Sequence, residues 1–163
     1  MRSCTARPLL LIDVDGVVSL FGFTNLPPAG LMPTAVDGVP HLLSPHAGSL
    51  LLRLSTRFEC VWCTGWEERA EEHLPRLLGL PGGWPHLTFG PSEPTPPRHW
   101  KLAAIESHSG PHRPLAWIDD AFDPTCDAWV ARRPGPTLLV RTEPASGLRS
   151  EHVRRLEEWA RRL

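Results

Sequence analysis

Short apolar blocks alternate along the chain with polar stretches rich in glycine and proline. Leu9-Leu-Leu-Ile12 is a continuous apolar run ending in Asp13, the pattern of a strand buried on both faces of a parallel sheet. Residues 19–43 read as loop with a small hairpin around Val36 to Leu43. Ser44-Pro45 supplies an N-cap and an N1 proline for a helix through about Arg57, with Leu50, Leu51 and Leu54 inward. Phe58 to Cys63 reads as a second buried strand, and Glu67 to Leu78 as a helix kinked or broken at Pro75. Residues 81–100 hold no clear element, and Lys101 to Ser107 predicts a short helix. Leu115 to Asp119 is a third strand that again ends in an acid. Asp123-Pro124 caps a helix to about Arg133, and Thr137 to Val140 is a fourth strand. Ser150 is expected to cap a last helix with Val153, Leu156, Trp159 and Ala160 inward. Strands alternating with helices in this way predict an α/β fold, a mainly parallel sheet covered on both faces.

Composition narrows the class. The chain has 163 residues, 41% of them hydrophobic, and a formal net charge of −1, enough for one domain over 1–163 with a real core and against disorder. No apolar run approaches the roughly 18 residues of a membrane span, and Asp13 cuts the longest one too short for a secretory signal. A cytoplasmic protein with no membrane partner is expected. The near-neutral charge gives no broad footprint for nucleic acid. Cys60 and Cys63 have C-x-x-C spacing but lie three apart on a strand, hence on opposite faces, which argues against a shared metal or disulfide. The eight histidines include no H-E-x-x-H motif, which argues against a zinc site. Of the 17 basic residues only Lys101 is lysine, and the rest are arginine.

Ligands of open parallel sheets bind beyond the carboxyl ends of the strands. There the chain places Asp13-Val-Asp15-Gly16, then Thr64-Gly65 just before a helix, then Asp119-Asp120. Clustered carboxylates repel one another unless a cation neutralises them, and a hard, oxygen-binding ion such as Mg2+ suits them. Thr64 and the amides at its helix start suit an anion such as phosphate, and Lys101 can supply compensating charge.

Asp13-Val-Asp15-Gly16-Val17-Val18, Thr64, Lys101 and Asp119-Asp120, in that order, resemble the four motifs of the haloacid dehalogenase (HAD) superfamily of phosphatases. Trp62-Cys-Thr64-Gly-Trp66, His99-Trp-Lys101 and Trp117-Ile-Asp-Asp120 resemble the small HAD-like domain of Swiss Army knife RNA repair proteins. The resemblance implies a three-layer Rossmann-like fold and Mg2+-dependent phosphomonoester hydrolysis through an aspartyl-phosphate. It implies Asp13 as nucleophile and Asp15 as general acid and base. Thr64, Gly65 and Lys101 would hold phosphate; Asp13, the Asp15 carbonyl, Asp119 and Asp120 would hold metal. Asp119 is expected to matter more for the metal than Asp120, because it follows the strand directly. The intervals after Val18 and after Leu80 are too short for a large cap domain. An open site suits a phosphorylated nucleic-acid or nucleotide end, with Arg98 and His99 as candidate contacts. A small-metabolite phosphatase with the 81–100 loop as partial lid, or a noncatalytic binding module, are the other readings. Trp66, Trp84 and Trp100 fall near the presumed site. Replacing Lys101 is expected to leave stability within a few degrees of the parent or to raise it.

Overall fold

The computed structural model describes residues 6–91 and 98–163. Cys4 and residues 92–97 of the expected lid loop lie outside these. The elements run β1 (Leu9–Ile12), β2 (Met32–Val36), β3 (Val39–Leu43), α1 (Pro45–Leu54), β4 (Glu59–Trp62), α2 (Glu68–Leu78), α3 (Leu102–Ser109), β5 (Leu115–Asp119), α4 (Pro124–Arg132), β6 (Thr137–Arg141) and α5 (Ser150–Ala160). Four strands form a parallel sheet in the order β4-β1-β5-β6, and β2 and β3 pair separately as an antiparallel hairpin. Among the described residues no cap domain is present; the hairpin is the only folded insertion between β1 and α1.

The all-apolar strands are explained by helices on both faces. Leu10, Ile12, Cys60, Trp62, Ala116 and Ile118 face α1, α2 and α5. Leu9, Leu11, Val61, Cys63, Leu115 and Trp117 face α3 and α4. Cys60 and Cys63 thus fall in opposite cores, both as free thiols, as the strand period requires.

Local signals set most boundaries. Ser44 Oγ accepts the Ala47 N–H at 3.1 Å, and Pro45 opens α1. Gly48 lets α2 come close, since a Cβ there would lie 2.9 Å from Leu78. Asp123 accepts the Thr125 and Cys126 N–H groups at the start of α4. The hairpin starts earlier than its sequence signal, at Met32, because Asp37-Gly38 takes the left-handed turn that joins paired strands (φ 50° and 78°). Pro75 does not break α2, which runs on to Leu78 with Ala70, Leu74 and Leu78 buried. α1 stops at Leu54 rather than near Arg57, because the Arg57 and Phe58 N–H groups both turn back to the Leu54 carbonyl and lead the chain into β4. Ser150 is the first residue of α5 and not its cap; Arg149 is the cap, and its N–H donates to His152 Nδ1 at 3.0 Å.

One ion pair ties the outer helices. Arg53 of α1 donates two 2.7 Å bonds to the nearly buried Glu157 carboxylate of α5, which holds that carboxyl below its usual range. Glu157→Gln is expected to cost about 1 kcal/mol, read as a fall of roughly 2–4 °C in melting temperature. The parent's advantage is present above the ordinary glutamate range and lost on acidification. A variant melting with the parent at neutral pH would remove the pair from the stabilising contacts.

Candidate active site

The carboxyl ends of β1, β4 and β5 lie side by side, so the chain has three chances to place a polar group at one spot. It uses all three. Asp13 follows β1, Thr64 stands two residues beyond β4, and Asp119 ends β5.

Asp13 is buried, its N–H bonded to the Ile118 carbonyl and its Oδ1 accepting the Val14 N–H at 2.8 Å. Burial pushes its carboxyl up to about 7, against the opposing pull of Lys101. The Lys101 Nζ lies 3.1 Å from Asp13 Oδ2 and 2.6 Å from Asp119 Oδ2. Burial works to lower the lysine's pKa, but Asp13 and Asp119 outweigh it and the net shift is upward. Lys101 is the N-cap residue of α3, so the helix start aims its side chain at two strand ends.

Asp119 has its oxygens occupied. Oδ2 accepts from Lys101 and from Trp117 Nε1 at 3.1 Å, and Oδ1 accepts the Ala121 N–H at 3.0 Å. Asp120 is partly exposed and pushed up by desolvation and then by Asp119. Its carboxylate lies against Gly16, where a Cβ would come within 2.4 Å of it. Gly16 also has φ 76°, so the turn and the close approach both require glycine. Thr142, just beyond β6, fixes this turn by donating its hydroxyl to the Gly16 carbonyl at 2.7 Å.

Asp15 projects from the same turn, half exposed. Its Oδ2 accepts Trp66 Nε1–H at 3.1 Å, and Oδ1 faces His41 Nδ1 at 3.9 Å. Thr64 is buried; its Oγ1 accepts the Trp66 N–H at 3.2 Å, leaving the hydroxyl proton to donate. Thr64 is not at the start of α2, as expected from the sequence. Glu67 is that helix's N-cap, at φ 49°, and residues 64–67 form a separate turn closed by Glu67 N–H to Thr64 O. Gly65 is exposed, with the Trp100 ring against it.

Structure and sequence agree on which residues converge, and differ at the rim. Trp66 and the half-exposed Trp100 border the site, but the partly buried Trp84 packs against the core, its ring 5.2 Å from that of Trp62. Arg98 pairs with Glu106 at 2.9 Å, and His99 is buried against Trp117 with its Nδ1 toward the Lys101 N–H. Neither stands as an open substrate contact. His41 and Thr142 carry no signal of their own in the sequence, because only the hairpin and the β6 end bring them to the turn.

The donor set suits a metal ion. Asp13, Asp119 and Asp120 each offer a carboxylate oxygen within 4.8 Å of one another, an all-oxygen group of the kind a hard cation takes.

A parallel α/β sheet with an Asp-x-Asp turn, a threonine, a lysine and paired aspartates gathered at its strand ends defines a HAD-type domain, and points to phosphatase-like hydrolase chemistry. Comparison with known families makes this specific. The chain belongs to the family described as the HAD domain in Swiss Army Knife RNA repair proteins, which matches residues 9–153. No curated protein matches the chain. Among the described residues no helix is long and apolar enough to cross a membrane.

Proposed function

We propose that the protein hydrolyses phosphomonoesters with Mg2+, through an aspartyl-phosphate on Asp13. The observation that carries this reading is Lys101 Nζ set between Asp13 and Asp119 at adjoining strand ends. A buried carboxylate beside a buried ammonium is a nucleophile whose approach to an anionic phosphoryl group is already compensated. An Asp13 oxygen forms the bond to phosphorus as the bond to the leaving oxygen breaks, and Asp15 gives that oxygen its proton. Asp15 then takes a proton from the water that attacks phosphorus and frees Asp13. The Thr64 hydroxyl, the Gly65 N–H and Lys101 hold the phosphoryl oxygens. Mg2+, when bound, supplies charge neutralisation for phosphate and carboxylates. Asp13, Asp120 and the Asp15 carbonyl are the groups to hold it, with Asp119 alongside.

The hydrogen bonds of Asp119 argue for reversing the order expected from the sequence. Its oxygens serve Lys101, Trp117 and Ala121, whereas the Asp120 carboxylate lies over the Gly16 turn. Asp120→Ala is therefore expected to raise the Mg2+ concentration for half-maximal activity by roughly tenfold or more. Asp119→Ala is expected to shift that midpoint less and lower turnover at saturating Mg2+. A Mg2+ titration giving the opposite order restores Asp119 as the main ligand.

Two substrate classes have separate support. The family's description and the open site favour a phosphorylated RNA or other nucleic-acid end. A groove of about 510 Å³ beside Asp15 favours a small ester, since neither arginine nor lysine stands among the described residues that line it. The deciding experiment is turnover of an aryl phosphate with Mg2+, followed by a panel of 3′- and 5′-phosphorylated RNA and DNA against small phosphoesters. Higher kcat/KM on polynucleotide ends assigns the first class, and higher kcat/KM on small esters the second. No turnover of any phosphoester would leave a binding module.

A further inference from the structure

We propose that Trp66 is a positioning residue for Asp15, fixing its Oδ2 and leaving Oδ1 as the oxygen that exchanges a proton with the leaving group. The inference rests on the phosphatase reading above. An indole N–H only donates, so the oxygen it binds is held as an acceptor and cannot present a proton in that direction. Trp66 Nε1 donates to Asp15 Oδ2 at 3.1 Å. The other oxygen is therefore the one left to carry a transferable proton.

Trp66 is itself held at both ends. Its backbone N–H is bonded to Thr64 Oγ1, and its ring lies 4.6 Å from the His41 ring, largely buried. Among the described residues Asp15 has no comparable support elsewhere. Its side chain is half exposed, and His41 Nδ1 stands 3.9 Å from Oδ1, beyond hydrogen-bond distance, and 3.0 Å from Ser19 Oγ. The indole thus couples the phosphate-holding threonine to the acid, so that both keep one spacing across the site.

The free oxygen also has a direction. Oδ1 faces His41, and Asp15 and His41 both line the groove of about 510 Å³ that Ser19, Phe21 and Phe23 continue. The leaving group accordingly departs toward the hairpin side of the site.

A packing role and a positioning role separate by leaving group. An alkoxide needs a proton as it leaves, whereas p-nitrophenolate is stable as an anion and needs none. Trp66→Phe keeps an aromatic ring beside His41 and removes the N–H. Its kcat/KM for an alkyl phosphomonoester is expected to fall roughly tenfold or more beyond any fall on p-nitrophenyl phosphate, since small misplacements of a catalytic group cost rate steeply. Asp15→Asn should show the same selectivity, and adding Trp66→Phe to it should change the ratio no further. Equal losses on the two esters, or full additivity with Asp15→Asn, would overturn the proposal while leaving the phosphatase reading intact. A parent protein that turns over neither ester with Mg2+ would overturn both.

Discussion

Asp13→Asn is expected to abolish turnover and leave the protein folded, with less than about one-hundredth of parental activity remaining, a barrier increase above ~3 kcal/mol. The amide keeps the shape of the side chain and an oxygen for the Val14 N–H, which now binds Oδ1 at 2.8 Å. It cannot act as a carboxylate nucleophile. Its effect on stability has the opposite sign. Burial raises the Asp13 carboxyl to about 7, so in the parent the folded state holds this proton after the unfolded chain has released it. Folding stability then falls as pH rises from the ordinary aspartate range toward 7, because the folded state binds more protons there. The variant lacks this dependence. Its melting temperature is expected to equal or exceed that of the parent, with a difference that grows between pH 4 and 7. Residual activity above one-hundredth would remove Asp13 as nucleophile. A difference that shrinks toward pH 7 would show that Lys101 outweighs burial at Asp13.

The same residues made fold and site legible together. An apolar strand that ends in an acid announces both its burial and its chemistry, and this holds for Ile12-Asp13 and for Ile118-Asp119. Ser44 and Asp123 were readable because a cap acts within three residues of itself. What escaped depends on contacts distant in sequence. His41 reaches Asp15 only because the β2–β3 hairpin folds back on residue 19, and Thr142 reaches Gly16 from 126 residues away. Trp117 reads as core from its strand, and it is core, yet its indole N–H also ends on Asp119. Thr64 was misplaced relative to α2 because Glu67 takes a backbone conformation at φ 49° that its residue type does not signal. Its carboxylate accepts the Phe89 N–H at 3.0 Å, a tertiary contact that holds the turn.

Lys101→Arg is expected to be nearly as inactive as Lys101→Met, each losing roughly 100-fold or more. The ammonium is a compact charge with three donors, buried with Asp119 at 2.6 Å and Asp13 at 3.1 Å, and 5.1 Å from the centre of the Trp100 ring. A guanidinium is longer and planar, and its fork cannot occupy the same point between two carboxylates. About 1 Å of displacement at the nucleophile is enough for a loss of that size. The two variants should separate in stability. From the sequence, replacing Lys101 is expected to change stability little; its burial between two acids reverses this. Removing it leaves Asp13 and Asp119 facing each other without a counter-charge, for which breaking a buried pair sets a scale of about 3 kcal/mol or more. Protonation of Asp13 offsets part of that cost, since losing the lysine drives its already raised carboxyl further up. The destabilisation of Lys101→Met is therefore larger at pH 8 than at pH 6, and added Mg2+ should recover more melting temperature in this variant than in the parent. Near-normal turnover by Lys101→Arg would return the lysine to a general electrostatic role. A Lys101→Met protein that melts with the parent at pH 8 would show that the two carboxylates do not depend on it.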